Sequence, residues 1–517
     1  MRRMRRLALA AVSLVAAGMV LAPNAWAGPF STGDLVQVSG NSPIPKGCLG
    51  DQRGTGTNVF NSEVEPYVSV DPSDPLHMVG AWQQDRWNNG GARGLVTAAS
   101  FNGGQSWTLN ANTKSSVCTF GTAANGGNYE RASDPWVNIA PDGTTYLMSL
   151  SVSTNPGGFG LHPNAMLVMR SDDGGVTWDN PTTLKRDEGT NALNDKNSMT
   201  ADPLDADFAY AVWDRIIAPP GELAPTTAFE NTIAGKGPTW FTRTTNGGDT
   251  WESARVIFDP GARAQTIGNQ IAVTGSGDLV NAFDLIHETA QPSGFSIAVI
   301  RSEDKGKTWD NRATIVDRHN SFQGIVIDPD NPNTNTRRVR TGDILPEVAT
   351  DLNSEAVYLV WQDARFGPRS SVAFSQSLDG GETWSPTVKI NQTPTDISVG
   401  NQQAFTPMVR VSDDGTVTVT YYDFRANETA PAINPLLTDA FAIHCHAATD
   451  DCSDPDSWTD EVRLTDASFD MRQAPFAGGN FVGDYEGLDT NGTDFFPFFS
   501  MPHDDDPASV FVRSVGP

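Results

Sequence analysis

Basic side chains are scarce in this chain: 35 Lys and Arg stand against 62 Asp and Glu in 517 residues, a formal charge of −27. Neutralising phosphate needs a basic surface, so this balance excludes a nucleic-acid binder, and by the same sign it excludes docking on anionic lipid. Long apolar runs are missing too. After the first 27 residues no stretch approaches 18 uninterrupted apolar positions, so no membrane insertion is expected. No segment longer than about ten residues keeps a helical period, and 48 Gly with 34 Pro point instead to many turns. Hydrophobic residues at 38% still supply a core, which rules out global disorder.

At the N-terminus, Arg2, Arg3, Arg5 and Arg6 precede an apolar run from Leu7 to Ala22, and Ala25-Trp26-Ala27 fits a small-x-small cleavage rule. Residues 1–27 therefore read as a secretory signal cleaved after Ala27, with 28–517 as the exported, extracellular part. The chain has only four cysteines. In an oxidising compartment they read as two disulfides, Cys445 with the nearby Cys452 and, by remainder, Cys48 with Cys118. Two cysteines with His444 or His446 have poor spacing for zinc, and no metal centre is assigned.

Five octapeptides repeat along the chain: SFNGGQSW at 100–107, SDDGGVTW at 171–178, TTNGGDTW at 244–251, SEDKGKTW at 302–309 and SLDGGETW at 377–384. All fit Ser/Thr-x-Asp/Asn-x-Gly-x-Ser/Thr-Trp. Each component suits a tight turn: Asp or Asn accepts backbone N–H bonds, Gly tolerates positive φ, the hydroxyl caps, and Trp packs a large ring nearby. Alternating runs surround the octapeptides. One ends in an aromatic or apolar residue followed by an acid, as in Trp213-Asp214-Arg215, Phe283-Asp284 and Tyr422-Asp423-Phe-Arg425; another precedes it, as in Trp136 to Ile139 or Glu347 to Thr350. Each unit is thus predicted to be a four-stranded antiparallel meander with the octapeptide in its third turn.

A four-stranded unit repeated many times predicts an all-β chain forming a single β-propeller. Successive octapeptide tryptophans lie 71, 73, 58 and 75 residues apart, which divides residues 28–517 into about seven units and favours seven blades, with six as the alternative. The last unit, from Phe481 onward, supplies only three strands, so Asp34–Val38 is expected to provide the fourth and close the ring. A length that would suggest about three domains is accounted for by one repeat array.

The octapeptides resemble the Asp-box, or bacterial neuraminidase, repeats of the sialidase superfamily, and the resemblance covers essentially all of 28–517. It implies a secreted, sialidase-like glycoside hydrolase acting on extracellular glycans, working as a monomer and requiring no cofactor, although an acidic secreted propeller leaves room for a structural calcium ion. Family sites use arginines to hold a substrate carboxylate, a Tyr activated by Glu as nucleophile, and an Asp as acid/base. Carried onto this chain, the catalytic candidates are Asp85, Tyr485 and Glu486. The substrate-binding candidates are Arg86, Arg131, Asp214, Arg215, Asp363, Arg365, Asp423 and Arg425, with Arg215, Arg365 and Arg425 as the anion clamp. Topology adds Glu65, Asp134, Asp284 and Glu347, because strand-two ends and strand-one entries share the face opposite the octapeptides. Where family members carry Arg-Ile-Pro, this chain has Glu63-Val-Glu65-Pro66-Tyr67. That departure motivates two alternatives: a non-catalytic propeller that binds glycan or protein, with Asp/Arg pairs serving as interblade salt bridges, and a polysaccharide lyase.

Overall fold

The computed structural model describes residues 30–48, 50, 56–154, 161–218, 236–287, 294–319, 325–331, 333, 336–429 and 435–517. The expected export signal, 1–27, lies outside the described residues. Among those described, helix is confined to 3-10 turns of three to five residues, and no helix is long and apolar enough to cross a membrane.

The chain folds as a series of antiparallel meanders. The first comprises Glu63–Asp71, Asp74–Arg86, Ala92–Ser100 and Thr108–Asn110, and the second Arg131–Ile139, Thr145–Thr154, Leu161–Ser171 and Thr182–Asp187. Four-stranded sheets begin again at Ala192, Ala264 and Glu347, and at Ala404 a four-stranded meander carries a short fifth strand, Phe469–Asp470. The last sheet orders Gly487–Thr490, Phe495–His503 and Asp506–Val512, and its fourth strand is Val36–Gln37, with Val36 opposite Val512 and Gln37 opposite Phe511. First strands lie against one another in chain order, and the first strand of the last sheet returns to Glu63–Asp71. This arrangement fits a β-propeller.

Neighbouring first strands are stitched largely through side chains. Ile139 N donates to Ser69 Oγ at 3.1 Å, Ala201 N to Asn138 Oδ1 at 2.8 Å, and Val70 N to Asp489 Oδ2 at 2.7 Å. Thr200 and Thr350 hydroxyls each donate at 2.6 Å to a carbonyl of an adjacent sheet, Ile271 and Val273 respectively. These bonds satisfy polar groups that no ladder reaches. Apolar faces pack between sheets: Val68, Met78 and Trp82 of the first meander meet Phe498, Val510 and Val512 of the last. Gly80 lies against the Phe498 ring with no room for a Cβ.

The octapeptide turns form self-contained hydrogen-bonded units. In the fifth, Gly381 N donates to Ser377 Oγ at 2.8 Å, Ser377 Oγ donates to Asp379 Oδ1 at 2.7 Å, and Thr383 N donates to the same oxygen at 2.8 Å. Burial is the largest single influence and raises the Asp379 carboxyl, but the hydrogen bonds from Thr383, Ser377 and Glu382 together outweigh it and hold it below the usual carboxylate range. Trp384 Nε1 donates to Gly381 O at 3.2 Å, whereas Trp178 Nε1 reaches Thr97 of the preceding meander at 3.0 Å. Ser377→Ala strands the buried Gly381 N–H, and the expected cost is about 1–3 kcal/mol. A urea midpoint equal to wild type would show that water satisfies that donor instead.

Both expected disulfides are present, Cys48–Cys118 and Cys445–Cys452. The second closes the sixth meander's third turn, where the octapeptide has degenerated and Trp458 Nε1 donates to Cys452 O at 2.9 Å. Close by, His444 is buried, stacked on Phe30 at 3.6 Å, and neither ring nitrogen has a hydrogen-bond partner. Burial, and secondarily the nearby His446, lower its pKa from 6.5 to about 4. A depressed histidine contributes stability that is full above the unfolded pKa and is lost as pH falls from 6.5 through about 4. The loss amounts to about 3 kcal/mol. His444→Phe should flatten this part of the denaturation profile; equal acid sensitivity in both proteins would assign the effect elsewhere.

Candidate active site

Sequence and local geometry first place a set of charged residues at the strand-one entries. Five first strands slip register at a bulge, and a residue there adopts positive φ: Glu65 at 51°, Asp134 at 50°, Lys196 at 45°, Gly268 at 70° and Thr406 at 49°. For the non-glycine residues this conformation costs of order 1–3 kcal/mol each, and such strain gathers where a fold must present particular side chains. Glu65, Asp134 and Lys196 are buried. Lys196 Nζ lies 2.6 Å from Asp484 Oδ2 and 3.6 Å from Asp134 Oδ1.

The connection between the fourth and fifth sheets completes the cluster. Its strand Arg338–Arg340 pairs antiparallel with Val326–Ile327 and parallel with Asn480–Phe481, setting Arg340 opposite Phe481 just ahead of Asp484. Arg340 Nε donates to Asp484 Oδ1 at 3.0 Å, and Arg340 Nη2 donates to Asp484 Oδ2. The Arg340 and Arg86 guanidiniums both lie over the Phe481 ring, at 4.7 and 5.1 Å. Gly342 packs on the Asp484 backbone carbonyl too closely for any Cβ, which fixes the next residue, Asp343, near Asp484.

Asp343 and Asp484 line the same cavity of about 300 Å³, together with Asn88, Asn89, Lys196, Arg338, Arg340 and Thr341. Their pKa values shift in opposite directions. Burial first, and the negative charge of Asp484, push Asp343 up to about 6 against the opposing Arg338 at 3.6 Å. Burial would raise Asp484 as well, but the charges and hydrogen bonds of Arg340 and Lys196 outweigh it and hold it far below the carboxylate range. Deeper in, burial and then the Asp134 charge keep the Glu65 carboxyl protonated well above its usual range. Burial pushes Glu347 up to about 8, with Gln270 donating to it.

Most sequence-predicted site residues are placed elsewhere. Asp85 is fully buried, ion-paired with Arg93 at 2.8 Å, and accepts from Ser42 Oγ at 2.7 Å and Asn61 N at 2.9 Å. Tyr485 donates its hydroxyl to Pro135 O at 3.1 Å, and burial raises it well above the ordinary tyrosine range. Glu486 is buried, accepts from Ser500 N at 2.9 Å, and is raised by burial. Arg131 lies against Trp87 at 4.5 Å and donates to Asn89 Oδ1 at 2.8 Å. Asp214 accepts from Gly268 N at 2.9 Å and from Asn269 Nδ2, and Asp284 from Ser296 N at 3.1 Å.

The three arginines expected to form a clamp are held by separate carboxylates. Arg215 pairs with Asp187 of the preceding sheet at 2.7 Å, Arg365 with Asp363 and with Asp317 of the preceding sheet, both at 2.6 Å, and Arg425 with Asp423 at 2.6 Å and Glu461 at 2.5 Å. Of the predicted set, Glu65 and Asp134 belong to the cluster, Tyr485 follows Asp484 directly and feels the charges of Glu65 and Asp134, and Arg86 adjoins it through Phe481 and Glu65. Sequence reasoning passed over Lys196, Arg340, Asp343 and Asp484. The X-Pro entries Glu65-Pro66, Asp134-Pro135 and Thr406-Pro407 were a usable signal for the bulge positions.

No model of a known protein family matches the chain, and no curated protein matches it. Among solved structures it is similar to a protein of unknown function from Dyadobacter fermentans, with 13% identity over 94% of this chain and 99% of that one and a TM-score of 0.46. It is also similar to the α-L-arabinofuranosidase Arb93A of Fusarium graminearum, with 10% identity over 94% and 97% of the chains and a TM-score of 0.40. A third is the NanB sialidase of Streptococcus pneumoniae, with 13% identity over 95% and 70% and a TM-score of 0.39.

Proposed function

We propose that the chain is a secreted seven-bladed β-propeller, closed by strand Val36–Gln37, that cleaves glycosidic bonds in the Asp343/Asp484 cavity. The observation that carries the activity is that two carboxyl groups line one cavity in contrasting surroundings, Asp343 raised to about 6 chiefly by burial and Asp484 held low by Arg340 and Lys196. Hydrolysis of an acetal needs a proton for the departing oxygen and a negative charge near the developing oxocarbenium ion. Asp343, protonated up to about pH 6, donates the first. Asp484 supplies the second, and Asn88 and Asn89 offer amides to sugar hydroxyls. Closure is supported by the return of the last sheet onto the first and by an axial cavity lined from every meander. Both disulfides are consistent with export.

A non-catalytic glycan binder is the second reading. It is favoured by the hold of Arg340 and Lys196 on both oxygens of Asp484, which leaves that carboxylate little freedom. Incubation with chromogenic glycosides and with polysaccharides, read by reducing-end release and by ultraviolet absorbance for unsaturated products, separates the readings. Reducing ends without unsaturation are expected. Saturable binding with no product would select the binder, and an absorbing product would select lyase chemistry.

A further inference from the structure

The axis of the molecule holds a second cavity, of about 280 Å³, that the cleavage site does not use. It is bounded toward the octapeptide face by turn residues including Pro72, Pro203, Asn353 and Gly492, so it opens there. At its inner end Tyr67 stacks on Trp136 at 3.8 Å, with Tyr485 5.4 Å beyond. This cavity's lining shares no residue with that of the Asp343/Asp484 cavity.

Arg410 stands in its wall. Its side chain is 38% exposed although it lies among the first strands, because what it faces is the cavity itself. Nε and Nη2 hold Asp489 Oδ1, both at 2.7 Å, while Nη1 takes no protein acceptor among the described residues. Asp489 in turn accepts from Val70 N at 2.7 Å and Thr490 N at 2.9 Å. Tyr67 likewise has a hydroxyl with no protein partner among the described residues, next to its stacked ring. The site therefore offers an aromatic platform, a free guanidinium edge and a hydroxyl, in a space sized for one small ring.

Charge selects among ligands of that size. The Arg410 guanidinium is already neutralised by Asp489, and Asp71, Asp351 and Asp413 line the mouth. An anion would meet net negative potential with no uncompensated cation to offset it. A neutral polyol loses nothing on that account, can take the free donors with its hydroxyls, and can lay an apolar face on the aromatic stack.

We infer that the axial cavity is a binding site for a neutral monosaccharide, separate from the cleavage site. The test is saturation-transfer NMR and calorimetry with D-glucose, D-galactose, D-xylose and L-arabinose, with D-glucuronate as the charged control, on the full chain and three variants. At least one neutral sugar should bind one-to-one. Tyr67→Phe, which keeps the stack, and Arg410→Lys, which keeps a cation for Asp489, should each weaken it about tenfold, while Asp343→Asn leaves the affinity unchanged. Absence of saturable binding by every neutral sugar, preference for glucuronate, or binding lost in Asp343→Asn but retained in the two wall variants would each overturn the inference. Because the readout is affinity and not turnover, an inactive cleavage site would leave this result intact.

Discussion

Asp343→Asn should lower kcat/KM on any cleaved glycoside by about 10²–10⁴-fold, the usual contribution of a positioned proton donor. The amide has nearly the same shape and keeps a hydrogen-bonding group beside Arg338, so folding should be little affected. The pH profile adds a readout that loss of shape alone would not give. An acid with its pKa raised to about 6 is active in its protonated form, so the wild-type rate should fall as pH rises through about 6. That limb should vanish in Asp343→Asn, leaving a low and flat residual rate. A variant with full activity, or with reduced activity and an unchanged alkaline limb, would remove Asp343 from the role.

Asp484→Ala is expected to give the largest loss of stability, about 3–5 kcal/mol, the range for breaking a buried ion pair from one side. The reason is what remains. Lys196 and Arg340, with side chains 6% and 11% exposed, would keep their charges with their principal carboxylate gone. Lys196→Met should cost less, since Arg340 still neutralises Asp484, and the double variant should cost less than the two single losses added together. Equilibrium denaturation of the four proteins measures that coupling. Additive losses, or a loss under about 1 kcal/mol for Asp484→Ala, would mean that water rather than the protein solvates these charges.

The arginines show where legibility ended. Asp363-Ala-Arg365 and Asp423-Phe-Arg425 recur at the ends of second strands and read either as a ring of site groups or as interblade salt bridges. Whether such a pair binds a ligand depends on what faces it, and Asp317 and Glu461, on outer strands, take up the guanidiniums. Those partners lie 48 and 36 residues away, with no periodic relation to announce them. Asp85 reads as an acid in the same way, but the N-terminal segment folds back over it and supplies Ser42.

The sequence by itself determined the all-β class, the meander unit and the octapeptide turns, because alternation and turn chemistry act over a few residues, and both disulfides, because four cysteines with one close pair leave a single pairing for the rest. The expectation that Asp34–Val38 supplies the missing strand of the last sheet rested on the same alternation; the register, Val36 opposite Val512, came only with the tertiary structure. The tertiary structure alone decided the cavity. A non-repeating connection pairs Arg338–Arg340 in parallel with Asn480–Phe481 and so seats Asp343 beside Asp484. The opposite shifts of their pKa values come from burial and from which cations stand within a few ångströms. Neither quantity exists until strands distant in the chain have packed.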